Sequence, residues 1–184
     1  MGISPKRGVA RDLELLSASE RKVYDDVAQY GWHVVKVASS DVAEGWAFSV
    51  GLIETFDHPE IVMVGLPTDM MHTIINNIGE DIRRGHRYQH EQRSGEILEG
   101  YDCLFERVAR RWYGPFLGYA TWYYGGDEFP TLQCIWPDRD ALWPWDPQSE
   151  VDWDGLQPRL SSEDSTTAGV RPWLESMDLD EPSS

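Results

Sequence analysis

Residues 45–67 read GWAFSVGLIETFDHPEIVMVGLP and contain two strand-like segments on either side of a polar turn. The first segment, residues 46–53, is rich in aromatic and β-branched side chains, and residues 61–66 form a continuous apolar run. The first pattern is typical of a strand, and the second of a strand that is buried on both faces. Residues 54–60 carry most of the polar chemistry of the segment and predict the turn that joins the two strands.

The composition predicts a soluble, folded and acidic protein. The chain has 184 residues, which suffice for one domain with a core and additional segments. Aromatic residues make up 12% of the chain, and its formal net charge is -16. The aromatic content excludes disorder over most of the length, and the charge disfavours binding to nucleic acid because phosphate backbones are repelled.

Neither a membrane segment nor a secretion signal is visible in the sequence. No run approaches the roughly 20 apolar residues that cross a bilayer, and the N-terminal stretch lacks the apolar centre of a signal peptide. The only two cysteines, Cys103 and Cys134, lie far apart in apolar, strand-like runs. They predict buried thiols in a reducing compartment rather than a zinc site, although a disulfide or redox pair is the alternative. We expect a cytoplasmic protein without a membrane partner or a metal site.

The other elements follow from periodicity and capping signals. Ser17 and Glu20 form a capping box at the start of the first helix. Short connections between the early strands favour antiparallel pairing. We predict an α+β domain with a mixed, mostly antiparallel sheet of about five strands and about three helices packed on one side, a small barrel being the alternative. The predicted helices are residues 17–30, 69–84 and 115–124, and the other predicted strands are residues 32–38, 96–109 and 129–136.

The chain divides into a leader, a domain and a tail. Residues 1–16 predict a flexible leader, residues 17–147 the single α+β domain, and residues 148–184 an acidic, disordered tail. Within the tail, residues 170–180 alternate large apolar side chains with acids, which predicts a docking segment for a protein partner. A helix packed on the chain's own domain is the alternative. The docking residues are Trp173, Leu174, Met177 and Leu179.

Three sequence motifs lie along the predicted domain. They are AFSVGL at 47–52 followed by His-Pro-Glu at 58–60, VGLP at 64–67, and YGPF at 113–116 followed by Tyr123 and LQCIWPD at 132–138. Together, over about residues 28–147, they resemble the bacterial domain-of-unknown-function family 4262. Phe48 and Ser49 stand where that family has tyrosine and threonine. The resemblance implies domain limits and a set of residues, and it implies no activity.

The His-Pro-Glu turn is the strongest candidate for chemistry. His58 and Glu60 are two residues apart, and Pro59 between them restricts the backbone. A histidine and a carboxylate at this spacing can form an acid/base pair or contribute metal ligands. The alternative is ordinary turn chemistry, in which Asp57 accepts backbone hydrogen bonds and Glu60 leads into the buried strand.

Further candidates lie near the end of the last predicted strand. Gln133, Trp136 and Asp138 cluster there, and Asp138 is expected at the mouth of the strand, where ligand contacts are common. Its alternative role is to cap the turn that follows. Tyr123 belongs to an aromatic-rich helix that can stack a flat ligand, although core packing is the more frequent use of such side chains.

Two functional hypotheses follow from these residues. The first is a binding or interaction module, accessory or regulatory, that acts through a protein partner by means of its acidic tail and aromatic helix. It is preferred because the sequence contains no GxGxxG, P-loop or GxSxG motif. The second is a small-molecule pocket, or an enzyme, that requires its residues to converge on one cavity; no cofactor is identified for either. The pocket residues are His58, Glu60, Tyr123, Gln133 and Asp138.

Overall fold

A six-stranded sheet forms the centre of the structure, a computed structural model that describes residues 7–41, 43–153 and 155–161. The strand order is β1-β2-β3-β6-β5-β4, in which β3 and β6 are parallel and every other pair is antiparallel. The strands are β1 His33–Val37, β2 Trp46–Val50, β3 Glu60–Val64, β4 Gln92–Leu98, β5 Tyr101–Arg107 and β6 Thr131–Ile135. The α-helices are α1 Ala18–Tyr30, α2 Leu52–Phe56, α3 Thr68–Arg83, α4 Tyr113–Phe116 and α5 Gly118–Tyr124, with single 3-10 turns at Leu13–Leu15 and Arg110–Trp112.

The first helix is formed by the signals that predict it. Ser17 accepts a hydrogen bond from the backbone N–H of Glu20, and the Glu20 side chain accepts one from the backbone N–H of Ser17. Gly31 ends the helix with φ of 93°, a left-handed conformation that glycine adopts without steric cost. Both the capping box and the α+β class predicted from the sequence are therefore confirmed.

The strand predicted over residues 46–53 is shorter than expected. It ends at Val50, and Gly51 turns the chain with φ of 111° into the short helix α2. Leu52 and Ile53 are buried in that helix rather than in a strand. The amide groups at the start of α2 are satisfied by a carboxylate from β3, a tertiary interaction that overrides the local preference of these apolar residues for a strand.

A hairpin replaces the single strand predicted over residues 96–109. β4 and β5 pair in an antiparallel manner on either side of Gly100, which has φ of 83°. A glycine in this conformation closes a tight turn, which divides the predicted strand. The sheet consequently has six strands instead of about five, and the helix predicted over residues 115–124 is divided into α4 and α5.

Helices cover both faces of the sheet, so the prediction that they pack on one side is wrong. On one face, α1, α4 and α5 pack against alternate strand residues such as Phe48 and Val62. On the other face, α3 packs against Ala47, Ile61 and Met63. All five residues of β3 are buried, as its continuous apolar run predicts. Within the described residues, no helix is both long and apolar enough to cross a bilayer.

The C-terminal part of the described chain packs against the sheet beyond residue 147, where the sequence predicts the domain to end. Leu160 is fully buried, and its backbone N–H donates to the Gln133 side chain at 2.8 Å. Gln157 is buried as well, and its amide group bonds the backbone N–H and C=O of Trp136. These specific contacts attach residues 155–161 to β6, although the acidic composition of the region suggests a tail.

The packing of residues 155–161 predicts different effects for two truncations. Removal of residues 148–184 should lower the free energy of unfolding by at least about 3 kcal/mol. It removes the buried Leu160 side chain, exposes the apolar residues that Leu160 covers, and leaves the Gln133 side chain without its hydrogen-bond partners. Removal of residues 162–184 keeps all of these contacts and should leave that free energy nearly unchanged. Urea unfolding followed by tryptophan fluorescence measures both values. Equal stability of the two truncated chains would contradict the prediction.

Candidate functional site

Glu60 occupies the centre of a buried hydrogen-bond network at the start of β3. Its side chain is fully buried, and its two carboxylate oxygens accept four hydrogen bonds from two side-chain hydroxyls and two backbone amides. The donors are Ser49 Oγ at 2.5 Å, Tyr124 Oη at 2.5 Å, the Gly51 amide at 2.9 Å and the Ile53 amide at 3.2 Å. One side chain thus connects β2, α2, β3 and α5.

The electrostatics of this network favour a structural role for Glu60. Burial raises the pKa of the Glu60 carboxyl, and the hydrogen bonds from Ser49 and Tyr124 partly oppose that shift. Burial, followed by the nearby Glu60, also raises the pKa of the Tyr124 hydroxyl, which therefore remains a donor. Because every oxygen is engaged and the group is closed to solvent, Glu60 acts as an acceptor that orients its neighbours.

A second pair of a tyrosine and a carboxylate lies beside the first. The Tyr123 hydroxyl donates to Glu54 Oε2 at 3.1 Å, and the same oxygen accepts the Gly8 amide at 2.6 Å. Burial raises the pKa of Tyr123, and the neighbouring Glu54 carboxylate adds to that shift. The rings of Tyr123 and Tyr124 are perpendicular, with centroids 5.0 Å apart. Tyr123 therefore contributes to core packing and to hydrogen bonding rather than to stacking with a ligand.

Part of the predicted flexible leader is attached to this region. The Val9 amide donates to the Tyr123 carbonyl at 2.8 Å, and the Val9 carbonyl accepts the Tyr24 hydroxyl at 2.7 Å. Gly8 fits closely, since a Cβ atom there would lie 2.4 Å from the Tyr123 ring. The Arg11 guanidinium lies over the Trp122 ring, 4.9 Å from its centroid. Residues 7–11 thus form a cover over α5.

His58 is buried and does not pair with Glu60. Its Nδ1 lies 2.7 Å from the Pro59 carbonyl oxygen, and its Nε2 accepts the Tyr88 amide at 3.0 Å. These partners fix a neutral ring with the proton on Nδ1. Burial lowers the pKa of His58 to about 4, so the ring stays neutral at physiological pH. The acid/base pair that the His-Pro-Glu order suggests is not formed, and His58 instead holds the loop after α3.

The residues at the end of β6 have structural partners. The Gln133 amide donates to the Pro158 carbonyl at 2.7 Å, and Trp136 Nε1 donates to the Val64 carbonyl at 2.8 Å. The Asp138 carboxylate accepts the amides of Asp140 and Leu142, each at 2.9 Å, so it caps the turn as the alternative reading of the sequence holds. The Ser149 hydroxyl on the other oxygen is the main reason that the pKa of Asp138 is lowered.

The five predicted pocket residues and the neighbouring candidate Trp136 are not brought together in one site. β3 and β6 run parallel, with Glu60 opposite Thr131. His58 and Glu60 therefore lie at the N-terminal end of this strand pair, whereas Asp138 follows its C-terminal end. Glu60 and Tyr123 both contact Tyr124, whereas Gln133, Trp136 and Asp138 lie along and just after β6. The predicted docking residues Trp173, Leu174, Met177 and Leu179 lie outside the described residues.

Sequence reasoning missed two members of the Glu60 network. Ser49 belongs to the row of small residues on β2, and Tyr124 follows Tyr123 on the aromatic helix. Their polar groups and positions are visible in the sequence, but their convergence depends on the packing of α5 over β2 and β3.

A groove lies along the outer side of β1. It has a volume of about 720 Å³ and runs between α1 and α3. Its floor is formed by residues 32–36. The walls include Ser19, Lys22, Asp26 and Tyr30 from α1 and His72, Asn76 and Glu80 from α3.

The charged groups of the groove are paired within the protein. Lys22 contacts Asp26 at 3.0 Å, and Asp26 also contacts His33 at 2.7 Å. Lys36 contacts Asp69 at 2.9 Å, and Glu80 contacts Arg83 at 2.8 Å. The groove consequently offers a strand edge and the apolar side chains of Trp32, Val34 and Val35, and each lysine and carboxylate that lines it has an ion-pair partner in the described chain.

Comparison with known proteins identifies one family model, described as a domain of unknown function (DUF4262), which matches residues 26–150. No curated protein and no solved structure matches the chain. Within the described residues, no group of three or more histidine, cysteine, aspartate or glutamate side chains is arranged to hold a metal ion.

Substitutions in the Glu60 network should reduce stability in a defined order. Glu60→Gln should cost about 2–4 kcal/mol of unfolding free energy, because an amide group then faces donors in a buried site. Tyr124→Phe should cost about 1–2 kcal/mol, and Tyr123→Phe, whose partner Glu54 is less buried, less than either. Urea titration at neutral pH measures the three values. A Glu60→Gln variant as stable as the parent would contradict the role of the carboxylate.

The pKa of His58 predicts a pH dependence of stability. Its pKa of about 4 in the folded chain lies below the ordinary value of 6.5, so the unfolded chain binds more protons between these values. Stability from this group is complete above about pH 6.5 and is lost as the pH falls toward 4. Between about pH 7.5 and about pH 5, the parent should lose about 2 kcal/mol more than His58→Gln. Urea unfolding at both pH values tests this, and equal losses would contradict it.

Proposed function

Because the chain belongs to the DUF4262 family, whose description states no activity, we propose from its own geometry that it is a protein-binding module. Its groove takes an extended segment of a partner as an additional strand on β1. The observation that supports this proposal is the position of β1, which is an edge strand at the floor of the groove.

The backbone of β1 supplies the hydrogen-bonding capacity. β1 pairs with β2 from His33 to Val37, and no described strand pairs with its other side. In an antiparallel pair, alternate residues direct their N–H and C=O groups away from the partner strand. An added strand satisfies these groups, which is the basis of peptide recognition by sheet edges.

The walls of the groove select a peptide over a second copy of the sheet. α1 and α3 rise on both sides of β1, and a second chain approaching edge to edge would bring the same two helices into the same space. A single extended segment carries no such helices. The interaction is therefore expected to join this chain to a linear segment of another protein.

Charge defines the chemistry of that segment. Every lysine and carboxylate of the groove already has a partner, so an uncharged, apolar segment fits with the least loss of solvation. The formal net charge of -16 favours approach of a partner with basic flanking residues. The chain's own segment 170–180 carries three acids against one arginine, so it is a poorer match than a partner segment.

Selection from a displayed library of random linear peptides on the full-length chain tests this proposal. Selected peptides should be apolar and without net negative charge, and their titration should shift the backbone NMR signals of His33–Val37. Ser19→Trp fills the groove from α1 and should weaken binding about tenfold or more. Gln29→Trp is the matched control on the exposed part of the same helix and should leave binding unchanged.

Three results would contradict the proposal. One is the absence of any selected peptide that binds the chain in solution. Another is a set of shifts centred on β4, the other edge strand, instead of β1. The third is competition by a synthetic peptide of residues 170–180, which would assign the groove to the chain's own segment rather than to a partner.

A further inference from the structure

A second concave site lies at the N-terminal end of the parallel strand pair. It has a volume of about 420 Å³, within the roughly 300–1,000 Å³ of small-molecule sites, and shares no lining residue with the groove. Four segments meet there: the turn before β3, the loop after α3, the end of β5 and the start of β6. We call this site the arginine cleft, because Arg87 and Arg107 line it.

The charge of the arginine cleft is opposite to that of the chain as a whole. The sequence has 32 acidic residues and 16 lysines and arginines, yet the lining contains two arginines and no acid. A surface of average composition would place about two acids beside every base, so this exclusion of carboxylates marks the cleft as locally positive.

Neither arginine is neutralised by a carboxylate of the described residues. The Arg87 guanidinium donates to backbone carbonyls, those of His86 at 3.0 Å and Phe56 at 3.1 Å, which position it without cancelling its charge. The Arg107 guanidinium has no ion pair within the described chain. Glu106, its neighbour in sequence, is instead engaged by Arg159 and Ser161.

A histidine adds a further donor to the cleft. His90 Nδ1 accepts the Arg107 amide at 3.2 Å, so the proton of the neutral ring is on Nε2. The loop that carries Arg87 and His90 is held by the bond from the Tyr88 amide to the buried His58 ring. Two guanidinium groups and one imidazole N–H are thus presented from a fixed backbone.

Part of the remaining lining is apolar. Pro59, Pro130 and Leu132 contribute to the wall at the start of β3 and β6. From this combination we propose that the arginine cleft binds a small organic anion. Its carboxylate or phosphate group contacts Arg87, Arg107 and His90, and its apolar body lies against the wall of prolines and leucine. Guanidinium groups bind both kinds of oxyanion by paired, charge-assisted hydrogen bonds.

NMR titration of the full-length chain with three small probes tests the proposal. Phenyl phosphate and benzoate carry the two candidate anionic groups, and benzyl alcohol carries the same ring without charge. Phenyl phosphate, benzoate or both should shift the side-chain signals of Arg87, Arg107 and His90 in a saturable manner, whereas benzyl alcohol should not. The probe that binds more tightly identifies the anionic group.

Variants separate a built site from general attraction. Arg107→Gln should weaken binding of the better probe about tenfold or more, because one charge-assisted contact is lost. Arg84→Gln removes the same charge outside the cleft and should have no effect. Arg107→Lys keeps the charge, provides a second folded variant, and should weaken binding less than Arg107→Gln. Non-saturable shifts, equal effects of the Arg84 and Arg107 changes, or equal binding of benzyl alcohol would each overturn the proposal.

Discussion

The buried carboxylate of Glu60 is the interaction on which the centre of the fold depends. An uncompensated carboxylate in such a position would be costly, and four donors from three different elements meet it. The same bonds explain why the chain leaves the strand at Gly51, since the first amides of α2 need an acceptor and β3 supplies it. One side chain thus determines where β2 ends, where α2 begins and how α5 is oriented.

Local signals in the sequence predict the elements that local interactions determine. The capping box of α1, the helix predicted over residues 69–84 and the apolar run of β3 all lie within about two residues of where the sequence places them. The importance of residues 58–60 is also visible, because a histidine and a glutamate within a buried run require partners. What the sequence does not contain is the identity of those partners, since His58 binds Tyr88 and Glu60 binds Tyr124, which are distant along the chain.

The separation of the predicted pocket residues has a topological cause. Antiparallel neighbours would bring the start of β3 to the end of β6, and a sheet predicted as mostly antiparallel makes that arrangement reasonable. The pair is parallel instead, which sends Asp138 to the opposite end and leaves Arg87 and Arg107 near His58. The sequence also does not predict the groove along β1. The groove exists because β1 is an edge strand, and the order of strands in the sheet is not visible in the sequence.

The central parallel pair also has a consequence for how the chain folds. β1, β2 and β3 are joined by short connections, as are β4 and β5, whereas the pairing of Glu60 with Thr131 closes a long loop. Closing such a loop costs entropy before its contacts form, and topologies rich in distant contacts fold slowly. We therefore expect the segments β1-β2-β3 and β4-β5 to form before β3 pairs with β6.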